Sequence, residues 1–323
     1  MLPVQTVRII ASCTQGKKRL VPQDLRLGDI PDGSLVERLQ VWKKRLQQSS
    51  AERVAVAELY RGQHWAVVRD LPTVAQNAGL QADLWITSAG YGLVPVGAQI
   101  CSYSATFASS VDDSVWRPSD GDRKGSLRAW WRGLQNLSSQ IAGAPRSLSE
   151  LADAAPKAVI LVIASPAYVT AMADDLAVTR QRLTDPNHLI VISSRNSSLP
   201  LWLESHLVPS EAPLCKMLGG SRGSLHARTA RRILEETVKI PLRADVLVPR
   251  YGHLLSNIEM PAPQARLRLT DENVRRFIRE TIAAKGNLSC TAVLRKLRVS
   301  GQACEQRRFA GLYAQVKGKL YEP

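Results

Sequence analysis

No stretch of this chain approaches the ~20 consecutive apolar residues that a membrane-spanning helix requires, which excludes a helical membrane span. Cysteine is sparse. Cys13, Cys101, Cys215, Cys290 and Cys304 are scattered and odd in number, with no CxxC pair and no Cys/His cluster. That argues against a disulfide scaffold and a structural zinc, and it fits a reducing cytoplasm. The opening MLPVQTVRIIASC is too short and lacks the basic n-region of a secretory signal, so a cytoplasmic protein is expected. Internal repeats are missing, as are the GxSxG elbow, the HExxH zinc helix and the GxxxxGK[ST] phosphate loop. No cofactor or metal is therefore expected.

Acidic residues are scarce in one part of the chain. Of 43 Lys/Arg and 28 Asp/Glu, residues 1–214 hold 22 and 19, a net of +3, whereas residues 215–323 hold 21 and 9, a net of +12. Charge needed only for solubility has less reason to concentrate in this way. A phosphate-binding surface in the C-terminal third is expected, with double-stranded DNA as the partner and no membrane.

With 45 % hydrophobic residues, 323 residues can bury one large core and a small satellite domain. Apolar runs that end in small or polar residues read as buried parallel strands: Val7–Ala11 into Ser12-Cys13-Thr14, Leu84–Thr87 into Ser88–Gly92, Ala158–Ala164 into Ser165-Pro166, and Leu189–Ile192 into Ser193-Ser194-Arg195. Helical stretches lie at Leu35–Gln47, Trp65–Asn77, Ser126–Ile141 and Tyr168–Leu183. The expected fold is α/β, a mostly parallel sheet sandwiched by helices over residues 1–243. Residues 244–265, with Pro249, Pro261 and Pro263, read as an extended linker.

Residues 266–323 read as a small all-α, helix-turn-helix (winged-helix-like) domain. Thr270 followed by Asp271 and Glu272 starts the first helix, Ser289 caps the second, and a sharp corner at Val299-Ser300-Gly301 leads to a third over Gln302–Val316. Gln302, Gln306, Arg307 and Arg308 near the start of that helix are the candidate DNA-binding residues, because Gln and Arg read base edges in the major groove. A basic three-helix cap with no ligand is the plainer alternative.

In an open parallel sheet, ligands bind outside the carboxyl ends of the strands. Candidate substrate-binding residues there are Ser12, Cys13 and Lys17 in the first loop, Tyr60, Ser88 and Tyr91 around the second strand end, Tyr103, and Ser165. Lys17 and Lys18 are equally readable as solvated charges, and Ser88–Leu93 as a tight turn. Gly219, Gly220, Ser221, Arg222, Ser224 and Arg228 form a glycine-rich turn entering a helix, an anion site in which free amides and guanidinium groups would meet a phosphate. Ser224 is alternatively an ordinary N-cap. The candidate catalytic acids are Glu58 and Asp112, although such residues are more often solvated.

The motifs Ser12-Cys13-Thr14-Gln15-Gly16-Lys17-Lys18, Ala57-Glu58-Leu59-Tyr60-Arg61-Gly62, Ser88–Leu93 and Gly219–Arg222 stand in an order that resembles a poorly characterised bacterial domain. That domain is related to the accessory domains of archaeal tRNA-guanine transglycosylases and the DNA 7-deazaguanine enzymes, and more loosely to the peroxide-stress DNA-binding family. The resemblance covers roughly residues 7–237. It implies handling of a nucleobase or nucleotide within nucleic acid, in DNA modification or phage defence. The zinc-binding cysteines of the transglycosylase barrel are absent, which argues against base exchange of that type. The expected activity is thus a glycosylase-like hydrolase acting at an N-glycosidic bond of DNA. The alternative is a ligand-sensing DNA-binding regulator without catalysis.

Overall fold

The computed structural model describes residues 5–109, 111–137, 143–258, 267–286 and 288–320. Two compact units divide at Ile258/Glu259.

The first unit is built on six strands: β1 (Thr6–Ser12), β2 (Gln81–Ser88), β3 (Gly92–Pro95), β4 (Val159–Ile163), β5 (Leu189–Ser193) and β6 (Leu207–Pro209). Their order is β3-β2-β1-β4-β5-β6, parallel throughout except for β3, which turns back on β2 as a hairpin. Ile9 of β1 lies level with Leu84 on one side and Leu161 on the other. Every residue of β4 and β5 is buried, which explains why both read as unbroken apolar runs with no two-residue alternation. The strand order reverses between β1 and β4, and the crevice at such a reversal is where α/β sheets hold ligands.

Helices flank the sheet and pack in pairs: Gln63–Asn77 against Leu225–Glu236, Leu148–Ala154 against Ala173–Arg182, and Arg123–Gln135 against Pro166–Ala171. Their starts follow from local chemistry. Ser34 and Glu37 form a reciprocal capping box at the head of Leu35–Gln48, and Asp122 accepts from two amides at the head of Arg123–Gln135. The helix expected over Tyr168–Leu183 is divided at Met172 into Pro166–Ala171 and Ala173–Arg182. The stretch expected over Ser126–Ile141 begins at Arg123 and ends at Gln135, and residues 138–142 lie outside the described ones.

Residues 244–256 of the expected linker are instead a helix, Ala244–Ser256, packed beside β6. Ala244, Leu247 and Tyr251 are buried, and Val248 packs against the same core. This helical spacing outweighs the backbone hydrogen bond that Pro249 removes from its interior. Residues 259–265 of that linker lie outside the described ones.

The second unit holds three helices, Asp271–Lys285, Cys290–Val299 and Gln306–Leu320, around a small core of Val274, Ile278, Val293, Leu294, Leu297, Phe309 and Leu312. Thr270 and Ser289 accept from backbone amides as N-caps, in the positions expected. The unit is not all-α. Gln302–Ala303 pairs in parallel with Leu267–Arg268, so the third helix starts at Gln306 and not at Gln302. No helix among the described residues is long and apolar enough to cross a membrane.

Candidate functional site

The site is built from the carboxyl end of β1. Cys13 extends the strand by one hydrogen bond to Thr87 (2.9 Å), and the loop then turns through Gly16. It is joined to the segment around Tyr60 by two backbone hydrogen bonds, Lys18 N–H to Leu59 (2.8 Å) and Arg61 N–H to Gly16 (3.0 Å), which together pair Lys17 with Tyr60 in an antiparallel bridge. Tyr60 is thereby presented beside Lys17.

Tyr103 enters from the chain after the short strand Gln99–Cys101. Its hydroxyl lies 2.9 Å from that of Tyr60 and 2.5 Å from Ser88 Oγ. Ser88 Oγ also accepts from the amides of Gly90 (3.1 Å) and Tyr91 (3.0 Å), which fixes the β2–β3 turn beneath the ring. Trp42 and Trp130 donate to the carbonyls of Gly90 and Ala89, each at 2.8 Å, and hold the same turn from outside. Gly90 is required by close approach. A Cβ there would lie 2.5 Å from the Tyr103 ring.

Lys17 is 8 % exposed. Its Nζ donates to the carbonyls of Thr14 (3.2 Å) and Gln15 (3.5 Å) and lies 4.3 Å from the centre of the Tyr103 ring and 5.7 Å from that of Tyr60. From the other side of the strand reversal, Tyr168 in the helix after β4 brings its hydroxyl to 3.2 Å from Cys13 Sγ, with its ring edge-on to Phe107. Ser165 opens that helix at the end of β4 and is half-buried. Cys13 is half-buried too, whereas Lys17, Tyr60, Ser88, Tyr103 and Tyr168 are buried.

Burial sets the protonation of this cluster. It pushes the phenols of Tyr60, Tyr103 and Tyr168 well above their ordinary range, and charge on Cys13 pushes them further. All three remain O–H donors at neutral pH. Tyr91 is raised by burial in the same way. Burial lowers the Lys17 ammonium, opposed by the negative charge available on Cys13 and Asp113. The arrangement presents hydrogen-bond donors and one cation, which suits an anionic or electron-rich ligand.

Neither expected carboxylate lies in this cluster. Val56 and Leu59 turn inward on the short helix Val56–Leu59, so Glu58 between them is exposed. Asp112 is exposed as well. Its neighbour Asp113 points inward, accepting from Gly28 N–H (2.9 Å) and Ser104 Oγ (2.5 Å).

The glycine turn is formed but differently employed. Gly219 and Gly220 have φ of 69° and 67°, a conformation that favours glycine. The Arg228 guanidinium folds back over Gly220, donating to Ser224 Oγ (2.9 Å) and the Ser221 carbonyl (2.8 Å). Arg228 therefore braces its own loop, whereas Ser221 and Arg222 are exposed and Ser224 is buried. Two histidines that the sequence did not bring together, His64 and His226, lie near each other beside the end of β1. His64 contacts the Ser12 carbonyl (3.2 Å) and lies close enough to His226 to lower its pKa, after burial has done most of that work, to about 4. His226 Nδ1 is buried without a hydrogen-bond partner.

In the second unit, Gln302 sits in the two-residue strand, and Arg308 is committed to Asp271 (2.7 Å) and the Leu269 carbonyl (2.9 Å). Neither is presented as a free reading residue. Gln306 is exposed in the first turn of the third helix, and the Arg307 side chain lies outside the described ones. Arg276, Arg279 and Arg295 are exposed on the other two helices.

No family model matches the chain, and neither a curated protein nor a solved structure matches it. Among the described residues no three His, Cys, Asp or Glu side chains gather in a way that would hold a metal ion.

Proposed function

We propose that this chain is a DNA-binding protein whose α/β unit receives a nucleobase or nucleotide in the crevice beside Cys13 and acts at its N-glycosidic bond. The observation that carries the reading is the meeting of Cys13, Lys17, Tyr60, Ser88, Tyr103 and Tyr168 at the reversal of strand order. A base leaving its sugar develops negative charge, and protonated phenols are suited to receive it. To reach a buried cluster the base must first leave the helical stack, and the aromatic rings offer it a surface.

The second unit supplies the reason to favour nucleic acid over a free nucleotide. Residues 264–323 carry 13 Lys/Arg against 5 Asp/Glu, and its three helices are read as a helix-turn-helix module with Gln306 and Arg307 as its candidate DNA-binding residues. The motif resemblance to a bacterial domain related to the accessory domains of DNA 7-deazaguanine enzymes points the same way. The setting would then be DNA modification or phage defence in the cytoplasm.

The test is incubation of the full chain with normal and modified DNA, single- and double-stranded, followed by mass spectrometry of released bases and abasic sites. Release that is lost in Tyr168→Phe and Tyr103→Phe supports the reading. Binding that weakens with salt while every base stays intact overturns the glycosidic step. The exposure of Glu58 and Asp112 gives that second outcome its physical basis, and the protein would then be a ligand-sensing regulator.

A further inference from the structure

We propose that Lys17 is the nucleophile of the crevice, an amine that attacks the anomeric carbon C1′ of the bound nucleotide and becomes linked to the sugar as a Schiff base. The proposal rests on the glycosidic reading above and names the group that performs it.

Four observations lead to Lys17. It is the one buried lysine among the described residues, and it lies on the loop leaving β1 at the strand reversal. No carboxylate forms a salt bridge with it there. Its Nζ meets the neutral carbonyls of Thr14 and Gln15 and the faces of Tyr103 and Tyr60. Removal from water lowers its hold on the proton, the usual means by which a lysine becomes a nucleophile at neutral pH. Finally, hydrolysis by a pair of carboxylates is not provided for. Glu58 and Asp112 are exposed, and Asp113 is occupied by Gly28 and Ser104. An amine requires no such pair.

The steps balance without an oxidant, reductant or metal. Lys17 releases its proton to solvent, and its lone pair forms the Nζ–C1′ bond. The C1′–base bond breaks with its electrons going to the base, which takes a proton from water while the Tyr168 phenol donates a hydrogen bond to it. Nitrogen then loses its second proton and supplies the pair that opens the C1′–O4′ bond. O4′ leaves with the electrons of that bond and takes up the released proton as a hydroxyl, and an iminium in protonation equilibrium with its imine remains. Water adds to C1′, the amine departs, and the sugar remains as an abasic aldehyde. The sum is hydrolysis of one glycosidic bond.

The test is reductive trapping. The full chain is incubated with a DNA duplex containing a single abasic site, whose aldehyde at C1′ is the product side of this reaction, in the presence of sodium borohydride. The cross-linked peptide is then mapped by mass spectrometry. We expect one adduct, on Lys17, lost in Lys17→Arg and retained in Lys18→Arg, its exposed neighbour. Mapping on the wild-type chain decides the matter even where Lys17→Arg fails to fold. Adducts spread over exposed lysines, or placed elsewhere than Lys17, overturn the proposal. Base release that persists in Lys17→Met with no trapped adduct overturns it while leaving the glycosidic reading intact. Absence of base release from every DNA tested removes that reading, and the proposed attack with it.

Discussion

Replacing Gly90 by alanine tests whether the Tyr103 ring is held where the site requires it. A Cβ at position 90 would stand 2.5 and 2.7 Å from two Tyr103 ring carbons and 3.1 Å from Trp42. Carbon atoms prefer about 3.5–4.0 Å, so roughly 1 Å must be found. Tyr103 is fully buried, and its hydroxyl is held by Ser88 and Tyr60, so it has little room to move. Trp42 is anchored by its own bond to the Gly90 carbonyl. Overpacking of this kind costs about 1–3 kcal/mol, and a site closed on both sides belongs near the top of that range. The reduced freedom of the unfolded chain offsets about 0.4–1 kcal/mol. The net is about 2 kcal/mol, which lowers the midpoint of thermal unfolding by roughly 4–8 °C. Gly97→Ala is the control, because Gly97 is exposed, has no positive φ, and its added methyl would meet nothing within 4 Å. Thermal scans of the two variants beside wild type measure the difference. Equal midpoints for Gly90→Ala and Gly97→Ala would refute the packing argument.

Two further outcomes follow from buried charge. Arg38 Nη2 donates to both carboxylate oxygens of Asp120 (2.7 and 2.6 Å), with side chains 1 % and 4 % exposed, so Arg38→Met leaves a buried carboxylate without its cation and should cost about 3–5 kcal/mol by urea denaturation, with much of it recovered in the Arg38→Met/Asp120→Leu double variant. His226, lowered from 6.5 to about 4, is held neutral in the folded protein, so between those values the unfolded chain binds the proton first and stability falls as pH drops through that window. The loss is about 3 kcal/mol at its fullest, and His64 shifts in the same direction. Denaturation curves at pH 7 and pH 4.5 check this against His226→Gln, whose curves should show the smaller difference.

The parts of the fold legible from the sequence are those whose physics is local. β1, β2, β4 and β5 are buried on both faces and so announce themselves as apolar runs, while β3 and β6 are short edge strands with no such signature. The helix Ala244–Ser256 was obscured because Pro249 is a strong local signal for a break, whereas the packing of Leu247 and Tyr251 that overrides it involves distant chain. Gln302 shows the same limit. Its strand partner Leu267 lies 35 residues away, and nothing at Gln302 itself indicates the pairing.

The candidate site divides along the same line. Ser12, Cys13, Lys17, Tyr60, Ser88 and Tyr103 were readable because each sits where an apolar segment gives way to polar residues, and strand ends of a parallel sheet all face one edge. Tyr168 was not, since a tyrosine two residues past Pro166 looks like ordinary core until Cys13 is placed 3.2 Å from its hydroxyl. The choice between Asp112 and Asp113 depended on which of two adjacent side chains the loop turns inward, a matter decided by Gly28 and Ser104 far upstream and nearby. That choice carries functional weight. With Asp113 committed to backbone and hydroxyl donors and Asp112 outside, the cluster has phenols and an amine where a glycosidase has two carboxylates, so any glycosidic chemistry here must begin from nitrogen or from water held by O–H donors.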